Sequence, residues 1–137
     1  MSKLMLSLDE DYDFSLIGIS CHSKDYRLCW ELNKTLLLSL IRAADYEITK
    51  KKEISKHAFY EFIDEINYLE FYLIANKGSK GNLIPEHKTT DFFLMLKGNP
   101  SSSQLSDFTV KINELSLVLA AFKINPESLK SKQNLLF

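Results

Sequence analysis

Near the start of the chain, the apolar positions change from an alternating to a helical spacing. Residues 14–20 mix β-branched and aromatic side chains with partial alternation and run into a polar cluster, which predicts a strand followed by a turn. Ser23 then offers an N-cap, and apolar residues recur at helical spacing to about Leu38. This spacing predicts a helix whose core-facing side chains are Tyr26, Cys29, Trp30, Leu36, Leu37 and Leu40.

The middle of the chain predicts antiparallel strands. Residues 42–49 alternate weakly before the charged stretch 50–53, which is typical of an exposed hairpin loop. Residues 57–63 and 68–75 are rich in β-branched and aromatic side chains and predict a second hairpin. The continuous apolar run 92–96 predicts a buried strand near the centre of a sheet.

The last third of the chain predicts a second helix and a final strand. Residues 101–103 are serines that offer N-caps to an apolar stripe of Leu105, Phe108, Ile112 and Leu115. Residues 117–124 favour a strand over an extension of that helix, because β-branched and aromatic residues precede an Asn-Pro pair. Residues 126–137 then form a short C-terminal helix or a docking tail.

This order of elements predicts an α+β fold. A strand and a helix come first, several antiparallel strands follow, and a helix and a strand close the chain. Such an order is typical of an antiparallel sheet of five to six strands with two main helices packed on one face, ferredoxin-like or related. The length of 137 residues fits a single domain over residues 1–137.

Composition and charge narrow the class of protein. With 45% hydrophobic and 26% charged residues, the chain can build a core. The formal net charge of -1 gives no overall basic field for a phosphate backbone, which argues against a nucleic-acid partner. The triple lysine 50–52 is interpreted as a solvated turn, since no aromatic residue is interleaved with it.

The sequence also favours a cytoplasmic protein. The apolar run within residues 1–8 is too short for a secretory signal, and no later run approaches the roughly 20 apolar residues of a membrane span. Cys21 and Cys29 are therefore expected to be reduced thiols. No membrane partner is predicted, and the oligomeric state stays open.

Residues 83–94 carry a short motif, Leu-Ile-Pro-Glu-His-Lys-Thr-Thr-Asp-Phe-Phe-Leu. It resembles the signature of the IPExxxVDY family, an uncharacterised family known mainly from Bacteroidetes-type bacteria and named after this motif. The matching residues are Ile84, Pro85, Glu86 and Asp91. Thr90 stands where the family name has Val, and Phe92 stands where it has Tyr, so any mechanism that uses that tyrosine hydroxyl does not transfer.

The resemblance extends to residues 25–28 with Trp30 upstream and to residues 129–135 downstream, which covers nearly the whole chain. It implies a bacterial protein without an assigned activity. It also draws attention to Asp25 and Arg27 as candidates for contact with a ligand or partner.

The polar residues of the motif allow two interpretations. Pro85 restricts Ile84 to an extended conformation, so these residues and Phe92 are expected to shape the connection. Glu86 and Asp91 then accept hydrogen bonds from loop backbone amides. The alternative is that Glu86, His87 and Asp91 form a polar binding site on a loop.

Other candidate chemistry is weaker. Cys21, His22 and Asp25 bring a thiol, an imidazole and a carboxylate together at a predicted strand-to-helix turn, where an anion could also bind. Adjacent side chains usually diverge, however, and a Cys–His nucleophile pair normally comes from separate elements. The histidines and cysteines show none of the standard paired spacings of a metal site, so neither a metal nor a cofactor is predicted.

Taken together, these patterns predict a non-enzymatic protein-binding or adaptor module. Its binding residues would be Glu86, His87 and Asp91, with His22, Asp25 and Arg27 as further candidates. The alternative is a small-ligand-binding regulatory domain, or an unrecognised enzyme, with a polar site around Glu86, His87 and Asp91.

Overall fold

The computed structural model describes residues 14–137, so the predictions for residues 1–13 lie outside the described part of the chain. Its elements in chain order are β1 Ser15–Cys21, α1 Asp25–Leu36, β2 Ile41–Arg42, β3 Tyr46–Lys50, β4 Glu53–His57, β5 Phe59–Asp64, β6 Leu69–Ala75, β7 Lys77–Gly78, β8 Gly81–Asn82, β9 Phe92–Lys97, α2 Ser102–Asn113 and β10 Val118–Ile124. Two short 3-10 helices follow, at Pro126–Ser128 and Lys132–Leu135.

Six strands form one antiparallel sheet in the order β10-β1-β9-β6-β5-β2. The first four strands in this order, with α1 and α2 as crossovers, follow the split β-α-β arrangement of ferredoxin-like folds. Strands β5 and β2 extend the sheet at one edge, while β3 and β4 pair with each other as a separate hairpin. The predicted α+β fold class is confirmed, and β9 lies inside the sheet as its continuous apolar run predicts.

Both helices pack on the same face of this sheet. Leu28 and Leu32 from α1 and Ile112 from α2 share one buried cluster with sheet residues such as Leu73 and Leu94. The side chains at these positions are less than 1% exposed, so the layer between the helices and the sheet excludes water. This face is therefore the main core.

The opposite face of the sheet is also buried, but without an α-helix. Ile48 of the β3–β4 hairpin, Leu83 and Ile84 of the connection after β6, and Leu129 and Leu135 of the C-terminal segment cover it. The sheet residues under this cover are Leu16, Tyr72, Ile74, Phe93 and Met95. The motif connection and the C-terminal segment therefore belong to the second layer of the core.

The predicted core-facing side of α1 is wrong in three positions. Tyr26, Trp30 and Leu37 are exposed, while a stripe of Leu28 and Leu32, continued by Leu36, faces the sheet. This stripe repeats every four residues, a spacing that places side chains on one face of a helix just as the predicted spacing does. The proposed N-cap is wrong as well: α1 begins at Asp25 with Lys24 as N-cap and without a side-chain cap.

The capped helix and the final strand predicted for the last third are confirmed. The Ser101 side chain caps α2 by accepting the backbone N–H of Gln104, and the Gln104 side chain accepts the backbone N–H of Ser101. Residues 118–124 form a strand, and the Asn125 side chain accepts the backbone N–H of Glu127 at the start of the closing turn.

Candidate functional site

The motif connection is organised by a buried asparagine, Asn76, that directly follows β6. Its side-chain NH₂ donates to the carbonyls of His87 at 2.8 Å and Thr90 at 2.7 Å, and its side-chain oxygen accepts the N–H of Ile84 at 2.8 Å. Its backbone carbonyl accepts the N–H of Leu83. Because Asn76 is 1% exposed, all these bonds form away from water and fix the conformation of the connection.

Asp91 attaches the end of the connection to β1. Its Oδ2 accepts the backbone N–H of Cys21 at 2.7 Å, and its own N–H donates to the carbonyl of Ile19 at 2.9 Å. Next to it, the Ser20 hydroxyl donates to the carbonyl of Thr89 at 2.8 Å. The Asp91 carboxylate thus satisfies the last backbone donor of β1.

Glu86 attaches the C-terminal segment. Its Oε2 accepts the backbone N–H of Ser131 and its Oε1 accepts the Ser131 hydroxyl, both at 2.8 Å. Partial burial by itself would raise the pKa of Glu86, but the hydrogen bonds from Ser131 and its neighbourhood outweigh it and lower that pKa. The carboxylate is therefore an ionised acceptor committed to the chain itself.

The remaining motif residues have separate positions. Ile84 is fully buried, whereas Pro85 is exposed at the outside of the turn. The His87 ring lies 6.3 Å from the Phe93 ring, centroid to centroid, in an edge-on arrangement. Phe92 is buried among the residues that face the helices. Both carboxylates accept backbone amides, as one of the two interpretations predicts; a role of Glu86, His87 and Asp91 in ligand binding stays a prediction.

The cysteine region does not assemble a nucleophile. Cys21 is buried and its sulfur accepts the N–H of Ser23, while the adjacent His22 is exposed. Cys29 is also a free buried thiol; burial, with a smaller contribution from Asp25, raises its pKa to about 11. Cys29 is thus an uncharged structural thiol.

Asp25 bonds to the sheet and not to a neighbouring candidate. The Tyr60 hydroxyl donates to Asp25 Oδ2 at 2.7 Å, which ties the first turn of α1 to β5. Burial and this carboxylate raise the pKa of Tyr60. Within residues 14–137, no group of three or more His, Cys, Asp or Glu side chains is arranged to hold a metal ion.

Sequence reasoning named Arg27 as a candidate but missed the aromatic residues beside it on the outer face of α1. Tyr26 and Trp30, one helical turn apart, are 64% and 60% exposed, and Arg27 lies beside them. The Lys34 ammonium sits over the Trp30 ring, 5.1 Å from its centroid. Tyr26, Arg27 and Trp30 line a surface hollow of about 450 Å³. We call Tyr26, Arg27, Trp30 and Lys34 the α1 outer face.

Two other surface hollows occur among the described residues, one beside Phe14 and Ile124 and one beside Tyr68 and Glu70. None of the three borders residues 84–91. A further signal for the α1 outer face in the sequence is the number of apolar residues in the helix, which is larger than one buried stripe can hold.

No protein-family model matches this chain, and no curated protein matches its sequence. Among residues 14–137, no helix has both the length and the hydropathy that crossing a membrane requires.

Proposed function

We propose that this protein is a non-enzymatic protein-binding module of the adaptor type, and that it binds through the α1 outer face. The observation that supports this most is the exposure of Trp30, the only tryptophan in the chain, on a regular helix. Large aromatic side chains that lie in water at no structural gain are typical of contact surfaces, where tryptophan, tyrosine and arginine dominate the binding energy.

The chemistry of this face selects a class of partner. Arg27 lines the hollow and Lys34 lies over the Trp30 ring. The two carboxylates of the helix are those of Asp25, which is engaged by Tyr60, and of the partly buried Glu31. A partner segment that combines acidic residues with an apolar side chain therefore complements both the charge and the hollow. We expect such a segment to insert its apolar side chain between Tyr26 and Trp30.

The motif connection supports the same proposal indirectly. Glu86 and Asp91 are engaged by Ser131 and Cys21, and the three hollows described above lie elsewhere, which favours a protein-binding module over the alternative of a small-ligand site. We also propose that the chain belongs to the IPExxxVDY family, since Ile84, Glu86 and Asp91 match its motif and each of them attaches the connection to another part of the chain. A cytoplasmic, bacterial protein with two reduced thiols is part of this proposal.

Affinity capture with chemical cross-linking tests the proposed function. The full chain, Trp30→Ser and Arg27→Glu serve as baits in native extract, with Leu119→Ser as the matched control because Leu119 is an exposed apolar residue on β10. We expect a stoichiometric partner that is captured by the full chain and by Leu119→Ser, lost with the other two variants, and cross-linked to α1 through an acidic segment.

Two results would contradict the proposed function. One is a partner that is retained by Trp30→Ser and cross-linked to residues 84–91. The other is the absence of any stoichiometric partner together with a metabolite that raises the melting temperature, which would favour a ligand site at Glu86, His87 and Asp91.

A further inference from the structure

The tip of the β5–β6 hairpin presents two large apolar side chains to solvent. Ile66 is 88% exposed and Tyr68 is 84% exposed. Residues 64–68, which we call the hairpin tip, connect β5 and β6, and these two strands pair with each other along their whole length. The apolar side chains thus stand on a rigid support, at the end of the sheet where β1 begins.

The backbone of the hairpin tip is fixed in its conformation. The Asp64 carboxylate accepts the backbone N–H of Asn67 at 3.1 Å and its side-chain amide at 2.8 Å. Tyr68 has a φ of 55°, in the left-handed region that an aromatic residue rarely adopts. A Cβ at Gly98 would lie 2.2 Å from the Tyr68 carbonyl oxygen, so the end of β9 packs directly against this residue. A surface that is ordered before contact loses little entropy on binding.

The charge of the hairpin is uniformly acidic. Residues 59–75 contain Glu61, Asp64, Glu65 and Glu70 and no lysine or arginine. The hydrogen bonds from Asn67 lower the pKa of Asp64, so this carboxylate is ionised at neutral pH. The hairpin tip therefore combines acidic residues with exposed apolar side chains.

This is the chemistry that the α1 outer face complements, and both surfaces belong to the same chain. Accordingly, and resting on the proposed function, we propose that the α1 outer face of one copy binds the hairpin tip of a second copy. Ile66 of the tip enters the hollow between Tyr26 and Trp30. Glu65 of the tip meets Arg27.

The contact joins two different surfaces, which determines the type of assembly. Each copy carries one α1 outer face and one hairpin tip, so the contact is head-to-tail. Such a contact closes into a ring or continues as a chain of copies. A copy that has lost either surface can still bind through the other one and ends the chain.

Two charge-reversal variants test this inference. Arg27→Glu removes the cation of the α1 outer face, and Glu65→Arg reverses the charge of the hairpin tip. We expect the unmodified protein to associate as its concentration rises from micromolar to millimolar in low salt, measured by sedimentation velocity. In each single variant, the contact brings two like charges together, two carboxylates in Arg27→Glu and two guanidinium groups in Glu65→Arg. We therefore expect the association of each variant to weaken about tenfold or more.

The double variant Arg27→Glu with Glu65→Arg restores opposite charges, so we expect association to return. Lys123→Glu is the control for a charge reversal elsewhere, and it should associate like the unmodified protein. High salt should weaken association of both the unmodified protein and the double variant.

A monomer at every concentration would overturn the head-to-tail contact. So would association that Arg27→Glu and Glu65→Arg leave unchanged, or a double variant that behaves like the single ones. These results do not touch the proposed function: a captured partner that is lost with Trp30→Ser would still support it, whereas the head-to-tail contact would be excluded.

Discussion

At the scale of single residues, Thr90 is the one buried side chain of the described residues whose oxygen has no hydrogen-bond partner. Thr90 is 2% exposed, and its Oγ1 accepts and donates no hydrogen bond. A buried polar group without a partner costs about 1–3 kcal/mol. The motif of the family that the segment resembles has valine at this position, which fills the same space without a hydroxyl.

We therefore expect Thr90→Val to raise the free energy of unfolding by about 1 kcal/mol or more, because it removes the orphan hydroxyl at nearly constant volume. Urea denaturation measures the change. Thr89→Val is the matched control, since Thr89 is exposed and the same substitution there should alter stability little. Lower stability of Thr90→Val would show that the hydroxyl does have a partner.

At the scale of elements, the sequence predicted most strands and both helices, because each has a clear period and clear end signals. The hairpin β5–β6, the central strand β9 and the capped helix α2 are examples. The face of α1 was not predictable. Its twelve residues include apolar side chains on two sides, and only the packing against the sheet determines that Leu28 and Leu32 are buried while Trp30 is not.

The candidate site could be predicted only in part, for a related reason. That Glu86 and Asp91 accept backbone amides followed from their place in a connection. Their donors, Ser131 and Cys21, are 45 and 70 residues away in sequence, so no local pattern identifies them. Asn76 likewise resembles an ordinary loop residue in the sequence, because the three groups that its side chain bonds come together only in the folded structure.

A second element-scale feature is the attachment of the β3–β4 hairpin to the sheet through His57. This residue is fully buried; its Nδ1 lies 2.9 Å from the Ala75 carbonyl oxygen, and its Nε2 lies 3.0 Å from the Ser55 hydroxyl. The carbonyl requires a proton on Nδ1, so the neutral ring accepts from Ser55 through Nε2. Gly78 packs directly over the ring, where a Cβ would come within 2.4 Å of it.

Burial lowers the pKa of His57, and the bond to Ala75 only partly opposes this effect. In the unfolded chain the pKa returns to about 6.5, so between the folded pKa and about 6.5 the unfolded state binds more protons. We therefore expect stability to fall as the pH drops below about 6.5. Urea denaturation across this range measures it, with His57→Gln as the control.

In His57→Gln the slope of stability against pH in this window should decrease, whatever the absolute stability of the variant. An unchanged slope would mean that another group binds the proton.

At the scale of the whole molecule, both faces of the sheet are covered. The two α-helices cover one face, and the β3–β4 hairpin, the motif connection and the C-terminal segment cover the other. Both proposed contacts use exposed apolar side chains on rigid supports, and both depend on α1 turning its aliphatic stripe inward.

The orientation of α1 can be measured directly through the fluorescence of Trp30, because Trp30 is the only tryptophan in the chain. The measurement is acrylamide quenching of Trp30 emission in dilute folded protein, with the urea-unfolded chain as reference for full exposure. At 60% exposure, we predict long-wavelength emission and a quenching constant at least half that of the unfolded chain. Short-wavelength emission that resists quenching would place Trp30 in the core and contradict the account.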